Sequence, residues 1–248
     1  MRAQRILRAE FRKLVTTKLP WGFLAVLVLL GAAVGIAVVA GTDAEGAKGF
    51  IDTAEDQRSL LAFTANSMML GGPLGAIIVG REYAHATVVS MFLIAPRRYR
   101  ALALQYVAAF LAGATLGFAG VGLTILAGAI SLPIADQELL LSAATIARLL
   151  GAGALAGAAG ALLGAGVGAL VRNAGGAVTA AMVLLVIAPP VAVQLVTEAA
   201  FWTPTTIANV VAGVGDEVTV PAALGALAAW GAIPAAAGLV AVRRRDVI

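Results

Sequence analysis

Six long apolar stretches, at about 20–41, 59–80, 102–131, 144–170, 176–197 and 220–242, run through this chain of 248 residues. A helix crossing the hydrocarbon core of a bilayer needs roughly 20 apolar residues. Charged residues make up only 12% of the sequence, about half the share of a typical soluble domain. With 61% hydrophobic residues and a mean hydropathy of +0.97, most of the surface has to face lipid. The predicted fold class is an all-α polytopic membrane protein: one domain, residues 1–248, with six transmembrane helices.

An even number of spans puts both termini on one side. Of the 17 Lys and Arg residues, 14 then fall on that side and three (Lys48, Arg58 and Arg148) on the other. Lys/Arg excess marks the cytoplasmic side, so both termini are predicted to be cytoplasmic. The same bias explains the basic isoelectric point without invoking nucleic acid. Ala, Gly and Val dominate and Arg is preferred over Lys, a composition that suggests a GC-rich bacterial genome and hence the bacterial plasma (inner) membrane. The first apolar run, near 22 residues after a long basic segment, is too long for the 7–15-residue core of a cleaved signal peptide and is expected to remain as a span.

Four segments stand out. In MRAQRILRAEFRKLVTTK, Ala3, Leu7, Phe11 and Leu14 form one stripe, with Arg5, Arg8 and Arg12 opposite and Glu10 near the edge. This predicts an N-terminal amphipathic helix in the headgroup layer, acting as an orientation anchor on membrane lipids or touching a cytoplasmic partner. The inner loop GREYAHATVVSMFLIAPRRYR opens on Glu82 and carries an apolar helical run from Thr87 to Ala95 that Pro96 ends, followed by Arg97, Arg98 and Arg100. An apolar helix facing the cytosol needs a cover, which is either the membrane interface or another protein. The fourth span carries Gly153, Gly157, Gly160, Gly164 and Gly168, a groove for a close helix backbone within the chain or for a dimer seam. After Pro189 and Pro190, which should bend or break the fifth span, Thr203 and Pro204 can start a short helix that Gly213 ends. With Ile207, Val210 and Val211 on its apolar face and Phe201 and Trp202 at the interface, it reads as an external re-entrant helix or as an interfacial loop.

No chemistry-bearing motif accompanies these elements. The sequence has no cysteine and a single histidine, His85, so thiolate and multi-histidine metal sites are excluded. GxxxxGK[ST], GxSxG and HExxH are all missing, and no charged residue is expected near mid-membrane, where a proton- or sodium-coupled transporter usually needs one. The chain is not expected to be an enzyme.

Three stretches resemble the membrane permease subunit of type-2 ATP-binding-cassette exporters: AEFRKLVTTK (Ala9 to Lys18), GREYAHATVVSMFLIAPRRYRALALQ (Gly80 to Gln105) and the terminal RRRDV (Arg243 to Val247). The second is similar to that family's Glu-x-x-x-x-Thr, apolar helix, Pro-Arg-Arg pattern. Ala86, where many relatives have Gly, and Gln105, where Lys is common, depart from it. The resemblance implies a coupling helix after Glu82, with Glu82, Tyr83, Thr87, Leu93, Pro96, Arg97 and Arg98 contacting a separate cytoplasmic ATPase dimer. ATP and Mg would then be bound by that partner, and this chain would need no cofactor. The resemblance further implies a second permease copy or homologous permease, and a translocation path with Phe63, Asn66, Met69, Met182 and Gln194 as candidates, suited to a drug, lipid or modified peptide. Leu7, Glu10, Phe11 and Leu14 would belong to the interfacial helix, and Trp202, Pro204 and Ile207 to the external re-entrant one. A non-transporting scaffold or immunity protein and an intramembrane lipid-modifying enzyme are the alternatives; the enzyme would need paired acids or a histidine cluster.

Overall fold

The computed structural model describes residues 12–13, 16–43, 51–62, 64–84 and 98–244, and all of the regular structure among them is helical. The order is α1 (Leu19–Asp43), α2 (Ala54–Leu61), α3 (Thr64–Ala84), α4 (Arg98–Ile134), α5 (Ala143–Val171), α6 (Ala174–Met182), a π-helical turn (Val183–Ile187), α7 (Ala188–Leu195), a 3₁₀ turn (Thr197–Trp202), α8 (Pro204–Ala212) and α9 (Val220–Arg244). Five of these stretches are long and apolar enough to cross a membrane: α1, α4, α5, α6 through α7, and α9. The chain is a multi-pass helical membrane protein.

The second expected span is built differently from its reading at 59–80. Residues 59–61 end the short helix α2, and α3 starts afresh at Thr64. Asn66, Ser67, Pro73, Arg81 and Glu82 dilute its apolar content. A helix surrounded by other helices has no need to be as greasy as one facing lipid, because the hydrocarbon is replaced by protein. α3 is such a helix: Met68, Leu74, Ala76, Ile78 and Val79 are all buried.

Small residues bring the bundle together. α5 is the hub, and most of its length is buried. A Cβ at Gly160 would strike the Met68 carbonyl, and one at Gly164 the Gly72 carbonyl, so α3 lies backbone to backbone along α5. On another side Gly113 and Gly117 of α4 meet the Gly157 and Gly153 carbonyls, and on a third Gly166 meets Pro234 of α9. The glycine groove thus serves packing within the chain. Such approach is the means by which helices associate in lipid, where no hydrophobic force drives them together. The registers also fix direction: α3, α5 and α9 run one way, while α1, α4 and α6 run the other. The ends of α3, α5 and α9 and the starts of α4 and α6 therefore share one end of the bundle, the loop end. α8 lies at the opposite end.

α4 has 37 residues, about 55 Å at 1.5 Å per residue. It overruns a hydrocarbon core of about 30 Å. Large apolar side chains of α1 (Leu29, Ile36), the π turn and α7 (Ile187, Leu195) and α9 (Ile233, Val240) stay exposed on the single chain, as lipid-facing surfaces do. Pro189 and Pro190 do not break the fifth span. The helix instead widens into the π turn just before them, and this removes the clash between a proline ring and the carbonyl four residues back.

Candidate functional site

The functional candidates gather at the two ends of the bundle. At the loop end, α3 delivers Glu82 and α4 begins at Arg98, so both roots of the segment 85–97 are described while the segment is not. Glu82 is buried, and its Oε1 accepts from Lys13 Nζ at 3.1 Å. The carboxylate therefore faces inward and ties the N-terminal segment to the last turn of α3. One residue on, the Arg172 guanidinium lies 5.7 Å from the Tyr83 ring centre, within cation–π range. Arg172 occupies the left-handed position (φ 58°) that ends α5, immediately before Asn173 caps α6. At the other root the Arg243 guanidinium of α9 sits 4.6 Å from the Tyr99 ring of α4. Each root of the loop is thus braced by an aromatic–guanidinium pair to a different helix.

Of the residues expected to couple, the structure locates Glu82 and Tyr83 as above and places Arg98 at the first position of α4. Thr87, Leu93, Pro96 and Arg97 lie outside the described residues, as do Leu7, Glu10, Phe11 and Leu14 of the expected interfacial helix. Gln105, one of the departures noted in the sequence, is fully buried on α4. A lysine there would have to bury its charge.

Of the path candidates, Met69, Met182 and Gln194 have described side chains. Phe63 lies outside the described residues, and Asn66 is placed only as backbone in the first turn of α3. Met69 and Met182 are half-buried on neighbouring helices, which face each other where Leu185 and Ala181 reach Gly72. Gln194 is exposed near the end of α7, more than two turns from Leu185.

No family model and no curated protein matches this chain. Geometry and sequence pattern therefore carry the functional reading.

The opposite end is organised around α8. Thr203 caps its N-terminus by accepting from the Thr206 amide, Pro204 takes the first position, and Gly213 ends it at φ 86°. Pro204 and Ile207 are buried, whereas Trp202 is exposed and uses its carbonyl to accept from Trp230 Nε1 at 3.1 Å. Three carbonyls at the far end of α8 accept from two arginines. Arg148 donates to Val210 and Val211, and Arg58 to Gly213, each at 3.0 Å. Cations are favoured at a helix C-terminus, where the carbonyl dipoles point outward. In the sequence Arg148 is only one of three basic residues on the outer side. Its contact lies about sixty residues away in the chain, and no local pattern announces it. Gln57 was missed in the same way: buried on α2, it bonds the Ile51 and Glu138 carbonyls and the Leu140 amide. Among the described residues there is no His, Cys, Asp and Glu grouping able to hold a metal ion.

Proposed function

We propose that this chain is the permease subunit of an ATP-driven exporter in the bacterial plasma membrane, with α3 as the sixth span and both termini cytoplasmic. In this reading the segment 85–97 docks on a separate ATPase subunit, which binds ATP and Mg. The observation that supports it best is the bracing of both loop roots, Tyr83 to Arg172 and Tyr99 to Arg243. A force applied to the loop enters α3 and α4 at their ends. α3 and α4 are each locked to α5 by backbone contact, so the three helices move as one body. The compliant element is α6 through α7, with its π turn and paired prolines. Closure of the ATPase dimer would bias the relative position of the locked body and the compliant span, and so the side to which the path opens. Glu82 would position the loop by anchoring the N-terminal segment through Lys13. The exposed apolar faces of α6–α7 and α9 suit a second permease copy, with an amphipathic cargo such as a drug, lipid or modified peptide moving between the two, and α8 near the exit.

Copurification from native membranes tests this reading. An ATP-binding-cassette ATPase should come down with the wild-type chain. Leu93→Arg, which puts a charge in the apolar stretch of the docking segment, should cut its recovery about tenfold or more, as loss of an interface hot spot does, with membrane insertion unchanged. Recovery that is equal for both chains, or cargo movement with no ATPase present, overturns the proposal.

A further inference from the structure

α1 and α4 pack like a zip that is closed at one end only. Away from the loop end, Gly31 meets Leu123, Gly35 meets Ala127, and Val38 packs on Leu132. Toward the start of α1 the α4 positions lining the gap are Ala112, Thr115, Leu116 and Ala119, three of them too small to fill it. What remains is an open-sided cleft of about 510 Å³ between Leu19, Trp21, Phe23 and Leu27 on one wall and α4 on the other, with Leu74 of α3 at its base. Its lining is almost entirely apolar. The one hydroxyl, on Thr115, is already spent on the Leu111 carbonyl. A volume in this range matches ordinary ligand pockets.

The mouth of this cleft has the opposite chemistry. Lys18 adjoins Leu19 in sequence, and Arg12 lies six residues before Lys18. Both are exposed, and their side chains make no hydrogen bond or ion pair among the described residues. Glu82 is the one carboxylate described at this end of the bundle, and Lys13 holds it. An apolar slot lined by the exposed Trp21, with two exposed cations just ahead of its first wall residue in the chain, is complementary to an amphiphile with a hydrocarbon tail and an anionic head. From this geometry we infer that the α1–α4 cleft is a binding site for one anionic membrane phospholipid, its acyl chain between Trp21 and Ala119 and its phosphate on Arg12 and Lys18. The site needs no ATPase and stands apart from the export reading.

Trp21 reports on the cleft directly. In a Trp202→Phe/Trp230→Phe background Trp21 is the sole tryptophan, since the chain has three. That protein is reconstituted in phosphatidylcholine vesicles doped with brominated phosphatidylglycerol or, at the same mole fraction, brominated phosphatidylcholine, and tryptophan quenching is read. The anionic lipid should quench more strongly. Arg12→Gln and Lys18→Gln, both at exposed positions, should each lower the anionic preference about fivefold, the worth of one basic residue near a membrane surface. Ala119→Phe, which fills the cleft, should reduce quenching by both lipids. Equal quenching by the two lipids, a preference that survives the loss of both cations, or anionic quenching undiminished by Ala119→Phe overturns the assignment and leaves ordinary lipid contact around α1.

Discussion

α5 and the α6–α7 span have similar apolar character and both are long enough to cross a bilayer, yet 72% of the central window of α5 is buried within the chain against 17% for α6–α7. Hydropathy does not separate them; side-chain size at the contact does. α5 presents mostly glycine and alanine where its neighbours approach, so three helices reach its backbone at once. The π turn and α7 present Val183, Leu184, Val186, Ile187 and Val191 to the outside and bury little more than Leu185 and Pro189. In lipid the greasy side chains of α7 gain nothing by turning inward, and only the small residues of α5 let dispersion and close approach hold helices together. One span is a structural hub, and the other leaves most of its surface exposed on the single chain.

The sharpest way to break this comparison is to make a neighbour withdraw from α5. Gly164→Leu puts a side chain on the Gly72 carbonyl and the Ala76 amide, which are backbone atoms that cannot step aside. The loss should exceed the about 1–3 kcal/mol usual for overpacking and appear as loss of a monodisperse folded species in detergent. Gly151→Leu on the same helix, with nothing within 4 Å of an added Cβ, should leave thermal stability within about 0.5 kcal/mol, as surface substitutions do. Equal sensitivity at the two sites would mean that glycine acts through helix propensity and not through contact.

Next in size is Leu185→Ala. This is the buried side chain of the π turn, and it reaches Gly72 of α3. Its removal should destabilise by about 2 kcal/mol, the low end for such truncations, in a denaturation titration. Ile187→Ala, exposed two residues away, should do almost nothing. Arg148→Ala should weaken α8 more than the bundle. Losing two charge-assisted bonds to carbonyls at a helix end is worth about 1–2 kcal/mol, discounted for solvent access, and is measurable as faster amide exchange confined to residues 204–214. Exchange that accelerates equally throughout α5 would instead make Arg148 a general support of that helix.

Much of the architecture was written in local pattern. The limits of α5 agree with the expected 144–170 to within one residue at each end, because a Ser cap and a continuous apolar run are local signals. The start of α8 at Pro204 and its stop at Gly213 were legible for the same reason. Other features depend on partners far along the chain. The end of α2 before residue 62 interrupts an apolar run without any helix-breaking residue, and α3 tolerates its polar residues because α5 and α4 pack against it. The braces Tyr83–Arg172 and Tyr99–Arg243 join residues about ninety and one hundred and forty positions apart. Each of those arginines looked like one more cytoplasmic charge. Glu82 was legible as an unusual acid in a basic loop, but its inward turn to Lys13 was not.

The smallest expected effect probes the π turn. Proline at 189 and 190 removes two amide donors and crowds the carbonyls of Leu185 and Val186, and the turn Val183–Ile187 ends just before them. If the prolines cause the widening, Pro189→Ala/Pro190→Ala lets an ordinary α-helix form, and stability should change by less than about 1 kcal/mol because two hydrogen bonds are gained as one strained turn is lost. The geometry should change more than the energy. Removing the extra residue of a π turn rotates everything beyond it by about 100°, the angle per residue of an α-helix. Gln194, exposed on the wild-type chain, would then point elsewhere. Because the sequence has no cysteine, Gln194→Cys gives a single reactive thiol whose labelling rate reads that rotation directly. A rate that falls in the alanine variant makes the prolines the hinge of the compliant span. A rate that holds assigns the turn to Leu185, whose side chain cannot leave Gly72 without unseating α6 from α3, and the contrast between hub and exposed span would then rest on one buried leucine.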